Sequence, residues 1–514
     1  MSADKRKRFL CCLLSVFAWG FAAHGFAFFN HFPSHDALTE MNGEKYGHAW
    51  KIALGRVFVP AYHSLTRGGI TLPLVIGILS LFYISIALYL ITLLFDLKKN
   101  VFIILAAGIL TTNLTVMANV ATYLNDLDCN MFAMLMAVTA IVLLDRSKRG
   151  FLYGMLPLCI SLGIYQSYVS VALTLFLMLL IFRLLKGEAK EKVFAFFRNG
   201  IILFAGGGVL YILSLKLVPF FCGIALDQES PNSMGALKQL SFSGLLRDAL
   251  AGFGKCGYEL LLSDHVYPMW LRLTLHLAIY GAAAFFMIGL IRKNKIPAIR
   301  IVLVAVCFLL MPFAMNVSYI LQGGNGHDLM FYAFWLAEVF VLILAAESDV
   351  LPDPKKMRKA LVRYPLIFCC IILLWGNVRT SNTLYLKKKI EYDANLSFFT
   401  GLLTKMQACE GYEEYSTPVA FLEIPIYALQ SPEEFDSVHW ITGAWSPYAT
   451  MTGSPDVYEA YFSYVLLHPI EIADKETRNR IEELPEVEAM PVYPAEGSIR
   501  MQDGVLVVKL GRKY

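Results

Sequence analysis

Charge is scarce in this 514-residue chain: Asp, Glu, Lys and Arg supply 16% of it, against 57% hydrophobic residues and a mean hydropathy of +0.56. Soluble domains carry about 25% charged residues, so that class is excluded and a polytopic membrane protein remains. Long basic runs are lacking too. Lys and Arg sit in short clusters at the ends of apolar runs, which excludes a nucleic-acid partner, and the net charge of +4 says little beyond that. The ten cysteines are scattered and no pair has metal-ligand spacing, so a zinc site is not expected. Cys222 and Cys256 fall in one expected external loop, where pairing stays open. No internal repeat and no buried Asp/Glu/Lys chain is visible, which argues against an inverted-repeat transporter and a proton relay.

What is present is a series of apolar runs. A membrane-crossing helix needs about 20 predominantly apolar residues. By that measure roughly eleven spans are expected, at 9–29, 71–95, 101–120, 129–145, 151–165, 167–185, 199–219, 271–291, 299–318, 329–347 and 364–379. The first is too long for a signal peptide and has no convincing cleavage site, so it reads as a retained span. Alternate connections hold the basic clusters, among them Lys5–Arg8, Arg146–Arg149 and Arg292–Arg300. The positive-inside rule then puts the N-terminus in the cytoplasm. Residues 30–69, 120–128, 165–167, 220–270, 320–328 and everything after 380 fall on the external side. The expected organisation is a membrane domain at 1–379 and an external α/β domain at 380–514. In the latter, Val419–Tyr427 and Gly504–Leu510 read as strands, while Ser397–Cys409 and Asp456–Leu467 read as helices. That domain has no Gly-rich phosphate loop and no evident triad.

Residues 30–69 are far richer in ionisable groups than the spans on either side: Asp36, Glu40 and Glu44 come first, then His48, Lys51, Arg56, His63 and Arg67. Their middle, 45–57, reads as an amphipathic helix lying on the bilayer, with Tyr46, Trp50, Ala53 and Val57 on one face and Lys45, His48 and Lys51 among headgroups. Asp36 stands just past the first span. It suits a general base that must stay ionised near a substrate hydroxyl, or a cap for a helix at 37–41. Asp126 and Asp128, two residues apart at a membrane boundary, suit sugar hydroxyls or a cation, or simply a solvated loop tip. Tyr165 and Gln166 lie in a very short external turn. They suit a sugar's apolar face and hydroxyls, or an interfacial aromatic belt. Lys51, Arg56, Arg67, Lys238, Arg247 and Lys255 place positive charge on the side where it is disfavoured. A lipid-linked phosphate would balance them, as would snorkelling to headgroups. Residues 241–262 read as a second surface helix completing a lipid-facing groove, and the Gly-rich stretch 322–328 reads as a flexible external turn, or as one whose His327 and Asp328 support the site or contact the acceptor.

Ser34-His35-Asp36-Ala37-Leu38, Gly55-Arg56, Tyr123 with Asn125-Asp126, and Tyr165-Gln166 together resemble the serotype-converting O-antigen glucosyltransferases, within the C-type membrane glycosyltransferases. The resemblance covers roughly residues 30–350. It implies a bacterial inner-membrane hexosyltransferase taking glucose from a polyprenyl-phosphate donor to a hydroxyl of a cell-envelope glycan, with inversion. In that frame Asp36 is the base. Arg56, with Lys51, Arg67 and Arg247, holds the donor phosphate. Asp126, Asp128, Tyr165, Gln166, His327 and Asp328 face sugar or acceptor. No cofactor is required, and a divalent metal is left open. The competing expectation is a flippase or binding subunit for lipid-linked glycan, which would carry its ionisable groups at mid-membrane rather than at the external boundary.

Overall fold

The computed structural model describes residues 3–30, 32–41, 44–68, 70–228, 241–263, 266–348, 356–422, 433–444 and 455–511. The chain divides into two compact units, residues 1–30 with 48–382, and residues 31–47 with 383–514. A long helix, α1 (Ala3–Phe28), is followed by three short ones, α2 (His35–Met41), α3 (Glu44–Ala53) and α4 (Val59–Thr66). Then come α5 (Pro73–Leu94), α6 (Asn100–Thr112), α7 (Leu114–Thr122), α8 (Leu124–Arg146), α9 (Gly150–Tyr153), α10 (Met155–Ile164), α11 (Val169–Leu185) and α12 (Lys190–Cys222). The series continues with α13 (Phe242–Gly257), α14 (Met269–Lys293), α15 (Ala298–Met315), α16 (Val317–Leu321), α17 (Leu336–Ser348) and α18 (Lys356–Gln407).

Among the described residues, nine helices are long and apolar enough to cross a membrane, and the protein is a polytopic membrane protein. The two other apolar runs form shorter pieces: Gly150–Ile164, and the 13-residue α17 preceded by the 3-10 turn Tyr332–Trp335. Of the nine, the α6–α7 segment is the most deeply buried, at 89% of its apolar window. Asn113 at their junction caps α7 by accepting from the Val116 amide at 3.1 Å, and its side-chain nitrogen donates to the Ile109 and Leu110 carbonyls. Cys222 is exposed and Cys256 buried, and both are free thiols, so the two do not pair.

One group was not expected inside the bundle. Arg272 and His276, in the first two turns of α14, are buried with Glu338 in the first turn of α17. His276 Nε2 lies 3.1 Å from Glu338 Oε1, and Arg272 donates to the Glu259 carbonyl at 2.6 Å. Arg272 and Glu338 lie in the first turn of their helices, and His276 one turn further along α14.

The second unit holds a four-stranded sheet in the order β2-β1-β4-β3. β1 (Pro418–Leu422) pairs in parallel with β2 (Glu471–Ile472) and β4 (Val505–Lys509), while β3 (Ile499–Gln502) and β4 form an antiparallel hairpin. Asp503 and Gly504 turn that hairpin with φ of 48° and 76°, the left-handed pair a two-residue loop demands. Its core joins Phe399, Leu402 and Met406 of α18 to Val419, Tyr461, Leu506 and Val508, and takes in Leu38 of α2. The helix expected at 397–409 is the end of the 52-residue α18, and the one expected at 456–467 is Pro455–Tyr464. Of the strand expected at 419–427, residues 423–427 lie outside the described set.

Candidate functional site

The charged residues of the first loop turn inward. α3 ends at Ala53 and a turn through Gly55 at φ 86° leads to α4, so the expected helix stops four residues before Val57. Lys51 is 4% exposed and Trp50 51% exposed, so Lys51 points into the protein instead of toward headgroups. The physical reason is Asp126. Residues 125–128 form the first turn and a half of α8, not a loop tip, and they are buried. Asp126 takes an ion pair from Lys51, and His63 Nε2 lies 3.5 Å from its other oxygen. Two positions on, Asp128 faces a different direction on the helix and meets Arg67 at 3.7 Å and the Tyr62 hydroxyl at 3.2 Å.

α4 supplies these partners because His63 and Arg67 are four residues apart on one face. Arg67 donates to His63 Nε2 at 2.8 Å, to the Ile70 carbonyl at 2.9 Å and to the Asn125 carbonyl. Burial holds the His63 pKa down at about 3, and the nearby Arg67 and Lys51 cations push the same way against the pull of Asp126. His63 is therefore a neutral acceptor at ordinary pH.

Arg56 differs from its neighbours. Its guanidinium lies over the Tyr165 ring at 4.8 Å, its buried Nε has no hydrogen-bond partner, and no carboxylate pairs with it among the described residues. The turn that carries it is clamped. Tyr211 donates to the Gly55 carbonyl at 3.0 Å and accepts from the Gln166 amide at 2.8 Å. On the far side the Phe58 amide donates to the Gly163 carbonyl at 2.9 Å, and a Cβ on Gly163 would collide with the Phe58 ring. Around this turn three cations, Lys51, Arg56 and Arg67, face two carboxylates, Asp126 and Asp128, and a neutral histidine.

The residues singled out in the sequence thus separate into groups. Lys51, Arg56, Arg67, Asp126, Asp128, Tyr165 and Gln166 come together, with Lys51 and Arg67 engaged by the aspartates, Tyr165 buried beneath Arg56 and Gln166 bonded to Tyr211. Arg247 lies elsewhere, 75% exposed at its side chain and paired with Asp248 at 2.9 Å. His327 is exposed, and the Asp328 carbonyl accepts from Thr115 at 2.8 Å. Asp36 belongs to α2 in the second unit, and its side chain lies outside the described residues. The expected cap at Asp36 is instead Ser34, whose hydroxyl accepts from the Ala37 amide at 3.3 Å. His63, Tyr62 and Tyr211 were given no role from sequence. The spacing of His63 and Arg67 was a readable signal, whereas Tyr211 sits in an apolar run with nothing to mark it.

His63, Asp128 and Cys129 bring possible metal ligands within 4.8 Å of one another. The set does not fit a cation. Arg67 already occupies the space between His63 and Asp128, and the Cys129 thiol donates to the Asp126 carbonyl at 3.1 Å.

No curated protein and no solved structure matches the chain. A family model described as Glucosyl transferase GtrII matches residues 25–345, a stretch that contains the whole charge cluster and runs through nearly all of α17. That is more than half of the sequence, and the chain belongs to the GtrII glucosyl transferase family.

Proposed function

We propose that this glucosyltransferase takes glucose from a polyprenyl-phosphate donor and transfers it, with inversion, to a hydroxyl of an envelope glycan of the O-antigen type. It works as a C-type enzyme of the bacterial inner membrane, N-terminus in the cytoplasm, with residues 1–379 as the catalytic membrane domain and 380–514 on the periplasmic side. The observation that carries the reading is Arg56, a guanidinium fixed over an aromatic ring in a clamped turn, with no carboxylate ion-paired to it among the described residues. A planar fork of this kind matches a phosphate through two parallel hydrogen bonds. Lys51 and Arg67 support it at one remove, since each is committed to an aspartate and adds to the local positive field.

In the reaction an acceptor oxygen attacks the anomeric carbon as the bond from that carbon to the phosphate oxygen breaks. The acceptor's proton passes to Asp36, a role that rests on the sequence resemblance. The chemistry needs stabilisation of the charge gathering on the leaving phosphate, which is what Arg56 supplies. The test is transfer of radiolabelled glucose from polyprenyl-phosphoglucose to isolated glycan. Arg56→Ala should lower kcat/KM by about 100-fold or more, with Arg56→Lys recovering part of it. Asp36→Asn should abolish turnover in a protein that elutes normally on size exclusion. Full activity in Arg56→Ala would remove the phosphate assignment, and activity in Asp36→Asn would move the base elsewhere.

A further inference from the structure

A cleft of about 530 Å³ opens in the first unit between α11, α12 and α15. Its walls are apolar. Ile299, Leu303, Val306 and Leu310 recur every three or four residues on one face of α15, and Phe194 and Phe197 of α12 join them. All six remain exposed, so the cleft is continuous with the apolar surface that α12 and α15 present to lipid. From Ile299 to Leu310 the helix rises about 16 Å, half of the ~30 Å hydrocarbon core and so the depth of one leaflet.

One end of the cleft is basic. Lys190 and Arg300 both line it, and neither pairs with a carboxylate among the described residues. Arg300 Nη1 is buried without a hydrogen-bond partner, and a cationic donor left in that state is costly unless something supplies an acceptor. The same end gathers two helix N-termini. α12 starts at Lys190 after Ala189 and α15 at Ala298 after Pro297, and neither cap residue offers a side-chain acceptor. Their first amides and the positive ends of both helix dipoles add to the two side chains. The neighbouring carboxylates do not cancel this charge: Glu188 is paired with Arg183 at 3.0 Å, and Glu191 is exposed in the first turn of α12, outside the lining. An apolar groove one leaflet deep with a cationic mouth matches a lipid that joins an anionic phosphate to an acyl chain. A zwitterionic lipid brings a cation to the same mouth, and a free phosphate has no tail for the groove.

We propose that this cleft binds an anionic phospholipid, its phosphate on Arg300 and Lys190 and an acyl chain along α15. In the orientation given above the basic mouth faces the cytoplasm, so the lipid belongs to the inner leaflet. The site shares no lining residue with the Arg56 cluster and does not depend on the transferase reading. The test is native mass spectrometry of the full-length protein in detergent, titrated with dioleoyl-phosphatidylglycerol or dioleoyl-phosphatidylcholine. The wild type should bind phosphatidylglycerol about tenfold more tightly. Lys190→Ala with Arg300→Ala should weaken that binding by about 30-fold, the usual worth of two basic side chains near an anionic surface, and leave phosphatidylcholine unchanged. Equal wild-type affinity for the two lipids, or undiminished phosphatidylglycerol binding by the double variant, would overturn the proposal. Because the double variant can fail to fold, a second measurement uses the wild type alone, photolabelled with a phosphatidylglycerol bearing a diazirine at the end of one acyl chain. Adducts on α15 peptides that excess phosphatidylglycerol competes away support the assignment. Adducts spread evenly over the spans, displaced equally by phosphatidylcholine, or displaced more readily by a polyprenyl phosphate refute it.

Discussion

Lys51 illustrates how one residue's surroundings redefine its work. Both partners of its pair with Asp126 are almost wholly buried, at 6% and 5% side-chain exposure. Such pairs return little net stability, but removing one partner strands the other. Lys51→Ala should therefore destabilise the protein by about 3–5 kcal/mol. The double change Lys51→Met with Asp126→Leu should recover most of that loss. Thermal unfolding of the three proteins in one detergent measures both quantities. If the double variant is no more stable than Lys51→Ala, the two side chains are not acting as a pair. Nothing local in the sequence announced this arrangement. The 3.6-residue period put Lys51 on a basic face correctly, but the direction of that face was decided by Asp126, 75 positions away.

At the level of elements, the turn between α3 and α4 is held from two sides, by Tyr211 on Gly55 and by Gly163 against Phe58. Gly163→Ala should push the Phe58 ring out of place, cost about 1–3 kcal/mol and lower transfer by displacing Arg56. Adding Phe58→Leu should restore part of both. A Gly163→Ala protein with unchanged transfer would mean that this contact does not hold Arg56. The spans were legible because a run of 20 apolar residues has few other homes. The start of α8 was not: a hydropathy reading begins at Cys129 and discards Asn125–Asp128 as loop, although those residues are already helical and buried. For a similar reason the two-residue β2 carries no periodicity to find, whereas β4, with five residues and four of them buried, was readable along its length.

Across the whole molecule, the two units answer to different solvents. In the first, apolar side chains of α12, α14 and α15 remain exposed, as they must where lipid replaces water. The second keeps an ordinary inward core. In detergent, urea should accordingly unfold the protein in two steps, the sheet-containing unit first. Val508→Asp, which buries a carboxylate in that core, should move only the first step to lower urea. A single coincident transition by tryptophan fluorescence and circular dichroism would refute that separation. The positive charge left over around Arg56 has a further consequence, concerning the order of events after chemistry. In the proposed reaction the donor is a phosphodiester with one negative charge, and the spent carrier is a monoester with nearly two at neutral pH. On that proposal Arg56, which pairs with no carboxylate among the described residues, would hold the spent carrier more firmly than the loaded one. Turnover would then be governed by how quickly the exhausted carrier departs. A membrane that recycles its prenyl phosphates slowly would throttle glucosylation through product inhibition, without any separate regulatory site.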